Sequence, residues 1–238
     1  MGSVLMTLRF YLNFSLLCCA LKITSVKFAS LKLLICGNLA ITEKTLEINV
    51  CGELVQHIRS TGYLKAYVYG FSTRKEVFHG LDISINVPRS SLVLGIQFKA
   101  PRRMGTIYMF KIGDRARRGC SSYTSSSRNP CINQHYALLN CAVTISITYN
   151  VYPPPAYYAF PLIADMVELE ASVPDTLSQT VFVRVVDFPL QTFFDCRPHI
   201  VRIDKTTRRV RVYSKEFEIQ ALSFKDLMTD IEKMLKKS

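Results

Sequence analysis

The sequence predicts an α/β (α+β) domain in which helices flank a central sheet, and three observations carry that expectation. Leu46, Val50, Leu54 and Ile58 recur at helical spacing, whereas Gly80–Val87 and Leu92–Lys99 alternate with period two around the turn Pro88-Arg89-Ser90-Ser91. A composition of 49% hydrophobic and 20% charged residues, with 14 Phe and 12 Tyr, can bury a sizeable core and excludes wholesale disorder, collagen and coiled coil. The 238 residues suit one domain with an extension.

The elements follow in order. Before Glu43 there is no acidic residue, only Arg9, Lys22, Lys27 and Lys32 among apolar text, so residues 1–41 read as a hydrophobic, basic N-terminal extension. Phe10 to Leu21 is uncharged, short of the roughly 18 apolar residues of a spanning helix. Three readings stay open: an extension packed on or foreign to the fold, a membrane anchor, and a cleaved signal. The single domain is expected over 42–238, with a core at 43–161 and a C-terminal β/α extension at 162–238.

From Thr42 the chain reads as a helix that Thr61-Gly62 stops, with Glu47 at the border of its apolar stripe. A strand follows at Tyr63–Tyr69, then the two alternating strands, then a strand near Ile107–Ile112. Gly119–Pro130 is a polar, serine-rich loop. Ile132–Ala142 reads as helix, Val143–Tyr149 as a strand, Pro153–Pro155 as a break and Ala156–Phe160 as a buried strand, with Pro161 opening the next helix. Strands near Val181–Val186 and Val210–Tyr213 precede a helix capped by Ser223 with Asp226.

If the two alternating strands form a hairpin whose facing residue numbers sum to 179, one face becomes Leu81–Phe98, Ile83–Ile96, Ile85–Leu94 and Val87–Leu92, all large and apolar. The other face gathers Asp82, Gln97 and Lys99 at the end far from the turn. A slip of one residue would put Asp82 beneath the apolar face, which specifies the register. An acid, an amide oxygen and a lysine converging there suit metal-assisted phosphodiester hydrolysis: Mg²⁺ or Mn²⁺ takes oxygen ligands and generates a nucleophilic water, and a lysine offsets charge developing on the phosphate. An exposed polar face with a single Asp–Lys contact is the structural alternative.

Gly80-Leu81-Asp82 followed 15 positions later by Gln97-Phe98-Lys99 resembles the PD-(D/E)xK nuclease superfamily, in its Q-x-K variant, and also uncharacterised prokaryotic proteins bearing Q-F-K. The resemblance implies a restriction-endonuclease-like core, a mixed sheet flanked by helices in the order αβββαβ. It implies catalytic and metal-binding roles for Asp82, Gln97 and Glu47, a catalytic Lys99, and a helical glutamine at Gln134. Gln97 stands where many members carry an acid, which removes a negative charge from the metal shell. Glu76 and His135 are accessory candidates.

Thirty Lys and Arg against 18 Asp and Glu leave a net charge of +12 and favour a polyanionic partner. Two stretches concentrate it: Lys99, Arg102, Arg103, Lys111, Arg115, Arg117 and Arg118 against Asp114, and Arg197, Arg202, Lys205, Arg208, Arg209, Arg211 and Lys215 against Asp204. Arg102, Arg103, Arg115, Arg117 and Arg118 are the candidate nucleic-acid contacts, with DNA placed ahead of RNA. A Mg²⁺-dependent nuclease and a catalytically silent nucleic-acid-binding protein are the two function classes; a membrane-associated protein using residues 1–40 is a third reading, and a homodimer stays open. The eight cysteines form no C-x-x-C pair, which argues against structural zinc and for buried thiols in a reducing cytoplasm, although Cys120 and Cys131 flank the polar loop and have the placement to bridge elsewhere. No nucleotide-binding glycine loop, nucleophile elbow or zinc-protease helix occurs.

Overall fold

The computed structural model describes residues 41–72, 80–88, 90, 92–113, 134–189, 198–213 and 217–236. The predicted 1–41 extension, apart from its last residue, and the Gly119–Pro130 loop lie outside them. Helix α1 (Glu43–Ser60) begins where Thr42 Oγ1 accepts the Thr45 amide at 3.1 Å, and it ends as Gly62, at φ +103°, donates back to Arg59.

The first sheet has the order β1 (Tyr67–Gly70), β2 (Ile83–Val87), β3 (Leu92–Phe98), β6 (Ala156–Pro161), β7 (Thr180–Arg184). All its pairs are antiparallel except β3 with β6, which are parallel. Parallel neighbours require a crossover, here through β4 (Arg102–Met104), β5 (Ile107–Ile112) and helix α2 (Gln134–Tyr149). One face is covered by α1 and by α4 (Phe224–Leu235): Val50, Leu54, Leu227 and Ile231 cluster with Ile83, Ile96 and Phe98. The opposite face clusters with α2 and the second sheet through Leu138, Tyr158, Phe160, Tyr108 and Val201. A short helix, α3 (Met166–Ser172), follows β6.

The second sheet runs β10 (Phe217–Ile219), β9 (Val210–Val212), β8 (His199–Asp204), β5, β4 and is antiparallel throughout. Strands β5, β8 and β9 alternate buried and open positions, as a sheet covered on one side does, while the edge strand β4 is exposed throughout. The protein is thus mixed α/β, with four α-helices and two sheets among the described residues, one of them mixed.

Several expectations change. The strand expected at Tyr63–Tyr69 begins at Tyr67, because Tyr63 to Ala66 is a turn. Ile107–Ile112 belongs to the second sheet, beside β8. Val143–Tyr149, despite its alternating β-branched residues, continues α2: Leu138 and Ala142 anchor the helix, which runs until Asn150 adopts φ +53°. Pro161 ends β6 instead of opening a helix, and Val185–Asp187 is one 3-10 turn beyond β7. The boundary at 161 separates neighbours within one sheet, since β7 pairs with β6 and α4 packs on it. Arg184 clamps that packing through Asp230 at 2.5 Å, and the Ser223–Asp226 capping box starts α4 as predicted.

No helix among the described residues is long and apolar enough to cross a membrane. Because the compact unit containing both sheets begins at Ile41, a chain starting there is expected to keep the melting transition of the full chain. Calorimetry checks this; loss of the transition would make residues 1–40 part of the fold.

Candidate active site

The hairpin adopts the predicted register, from Ile83 opposite Ile96 to Val87 opposite Leu92, and the Asp82 amide adds one further bond to Ile96 O at 3.2 Å. Beyond that bond the strands part. The Phe98 amide, which another main-chain carbonyl would otherwise meet, donates instead to Asp82 Oδ2 at 2.7 Å. Gly80 explains the divergence: it adopts φ +66°, and a Cβ there would lie 2.6 Å from both Gln134 O and Leu138 N. The chain therefore presses against the first turn of α2 where only glycine fits. Leu81 accordingly leaves the Phe98 face on which alternation placed it, lies over Gly95 and joins the cluster of Leu138 and Tyr158.

Gln97 is fully buried, beside Tyr158 of β6. Its Nε2 donates to Asp82 Oδ2 at 2.6 Å and to Phe98 O at 3.2 Å, and its Oε1 accepts from Gln134 Nε2 at 3.2 Å. The amide oxygen expected to face a metal thus faces the first residue of α2. The three side chains Asp82, Gln97 and Gln134 form one hydrogen-bonded chain across β2, β3 and α2. The face is buried, not the exposed polar face of the structural alternative: Asp82 retains 7% exposure.

Lys99 stays in the ladder, its amide donating to Ala159 O at 3.2 Å, which by alternation keeps it on the side of Gln97. Its ammonium lies 4.0 Å from Glu43 Oε2, and that oxygen also accepts the Ala100 amide at 3.2 Å. Burial raises the Asp82 carboxyl from 3.8 to about 7; Lys99 opposes that rise and Glu43 adds to it. Glu43, at the first position of α1, therefore acts more strongly on Asp82 than Glu47 does. Glu47, the predicted helix acid, sits one turn later and is held by Lys44 at 2.5 Å. The two are four residues apart and share a helix face; the sequence resemblance names Glu47 and misses Glu43, which helical spacing from Glu47 would have brought in. Cys51, a turn beyond Glu47, is a buried thiol held well above its usual range, first by burial and then by Glu47.

His135 is fully buried, shares a 2.8 Å hydrogen bond with Tyr158 Oη and packs edge-on against Phe188. Burial, then the nearby His199, pushes its pKa down to about 3, so it is a neutral core residue with no surface for a phosphate. Arg102 is exposed on β4, and Arg103 is paired with Glu168 at 2.8 Å. Glu76, Arg115, Arg117 and Arg118 lie outside the described residues.

The donors near the site are hard oxygens. Among the described residues Asp82 Oδ1 accepts no hydrogen bond, whereas Oδ2 accepts two, and Glu43 adds a second carboxylate. Among the same residues no three His, Cys, Asp or Glu side chains converge on one point. Mg²⁺ is commonly held by one or two carboxylates, with waters and substrate phosphate completing its shell, so this donor set fits that ion. Comparison with family models, curated proteins and solved structures gives no match.

Proposed function

We propose that the chain is a Mg²⁺-dependent nuclease with a restriction-endonuclease-like core, hydrolysing phosphodiester bonds of DNA. The observation that carries this reading is the meeting of Asp82 with Gln97, Gln134, Lys99 and Glu43 where β2 and β3 part. The element order, α1, three strands of the first sheet, α2, then β6, also supports it.

Asp82 and Glu43 would hold the ion. When bound, Mg²⁺ supplies a Lewis acid for a phosphoryl oxygen and lowers the pKa of a coordinated water. Gln97 fixes the Asp82 carboxylate through Oδ2 and leaves Oδ1 open, and Gln134 orients Gln97. Lys99 places a fixed positive charge beside Asp82 for the phosphate.

Incubation of the purified chain with plasmid and structured RNA, with and without Mg²⁺ or Mn²⁺, tests the reading; Asp82→Ala and Lys99→Ala are expected to lose cleavage. A carboxyl near 7 is neutral in acid and cannot attract a cation, so activity should rise as pH passes upward through about 7. That midpoint should move to lower pH as Mg²⁺ is increased, because the ion favours the carboxylate. A pH profile indifferent to Mg²⁺ would remove Asp82 from the metal site.

A catalytically silent nucleic-acid-binding protein is the second reading. It is favoured by the use of Asp82 Oδ2 to close the sheet against the Phe98 amide, a structural task that needs no metal. Nucleic-acid binding without cleavage in any metal would select it, whereas wild-type activity in Asp82→Ala would place the active site elsewhere.

A further inference from the structure

The outward positions of the second sheet align into one row. Arg102 faces Met109, Met109 faces Arg202, Arg202 faces Arg211 and Arg211 faces Glu218. Alternation directs the row away from the buried face formed by Tyr108, Phe110, Val201, Ile203, Val210 and Val212. With strands about 4.8 Å apart, Arg202 and Arg211 emerge side by side and Arg102 stands about 10 Å from Arg202.

Like charges directly opposite each other on neighbouring strands repel, so the Arg202–Arg211 pair weakens the sheet unless an anion covers it. The near acids are few. Glu218 is shared between Arg209 at 3.8 Å and Arg211 at 3.5 Å, and Asp204 Oδ1 is engaged by the amides of Thr206 and Thr207 at 2.8 and 2.9 Å. Arg102 forms no ion pair with any described residue. Arg202 is held in place by its stacking 3.6 Å over the Tyr213 ring, with its buried Nε making no hydrogen bond among the described residues.

That stacking also says which nucleic acid fits. Single strands are held on open aromatic faces, but the Tyr213 ring is capped by a guanidinium, and the row itself carries no aromatic residue. What remains is a line of positive charge, one arginine two strands from an adjacent arginine pair, suited to phosphates on the outside of a duplex. Arg102 is three residues beyond Lys99, a reach of at most about 11 Å along the chain, so the row starts beside the candidate site.

We infer that the Arg102–Arg202–Arg211 row is a docking strip for the phosphate backbone of duplex DNA. Only the direction in which the strip leads rests on the nuclease reading; the binding does not.

Fluorescence anisotropy of the full-length chain with a labelled duplex, in EDTA and over roughly 50–200 mM salt, tests it. The double variant Arg202→Ala/Arg211→Ala is expected to flatten the log K against log salt slope by roughly 2, about 0.9 for each phosphate no longer neutralised, and to weaken binding to all duplex sequences alike. Mg²⁺-dependent cleavage by the wild-type chain, assayed separately, distinguishes failure of the nuclease reading from failure of the strip. An unchanged slope in a double variant that melts like wild type overturns the inference. So does a loss confined to single-stranded oligonucleotide or to anionic phospholipid vesicles. Should the double variant fail to fold, exposed Arg102→Ala and Arg211→Gln carry the test singly, each with an expected slope change of about 1.

Discussion

Asp82→Asn is expected to abolish metal-dependent cleavage and, in the same molecule, to stabilise the metal-free fold above pH 7. Burial raises the native carboxyl from 3.8 to about 7, so between those values the folded chain holds a proton that the unfolded chain has released. Stability then falls as pH rises through that window and levels off above it, because ionising Asp82 puts an incompletely compensated charge in a nearly dry site. A rise of this size corresponds to about 4 kcal/mol, an order-of-magnitude figure. Asparagine can still accept from the Phe98 amide and from Gln97, but it never ionises. Denaturant unfolding of both proteins at pH 5 and pH 8 should show wild type losing stability relative to the variant at the higher pH. Mg²⁺ should restore stability to wild type alone, since an ion bound only by the native state raises its stability by mass action. A constant difference between the proteins from pH 5 to pH 8 would show that Asp82 is already ionised in the folded state at pH 5 and that burial does not raise its carboxyl.

Gly80→Ala should cost about 3 kcal/mol or more and lose cleavage with it. The positive φ alone costs roughly 1–2 kcal/mol for an L-residue, and the new methyl would meet two backbone atoms of α2 at 2.6 Å, neither of which can swing aside as a side chain would. Forced overpacking of this kind adds roughly 1–3 kcal/mol. Gly105 is the control: its φ is +62°, but no described atom lies within 4 Å of a Cβ there, so Gly105→Ala should show the conformational penalty without the clash. Comparable losses in the two variants would mean that α2 shifts freely, and that Gly80 does not set the position of Gln134 against Gln97.

The sequence by itself determined the hairpin and the capped helices. Side chains in a strand repeat every two residues, and one register alone brings Ile83, Ile85 and Val87 opposite Ile96, Leu94 and Leu92, so local pattern was enough. Thr42, Ser223 and Asp226 marked helix starts for an equally local reason, because a cap satisfies amides within its own first turn. Burial of the Asp82 face was decided only in three dimensions. It follows from α2 and β6 covering β3, and those neighbours come from residues about forty to sixty positions further along the chain. The choice of Glu43 over Glu47 depends on where the first turn of α1 stands against the end of β3, which helical spacing leaves open. Val143–Tyr149 carried a strand pattern and became helix, because tertiary packing through Leu138 and Ala142 outweighs the weak preference of β-branched residues. The arginine row is likewise invisible in the chain: Arg102, Arg202 and Arg211 become neighbours only through the pairing of β4, β5, β8 and β9, and long-range pairing is what a local pattern does not encode.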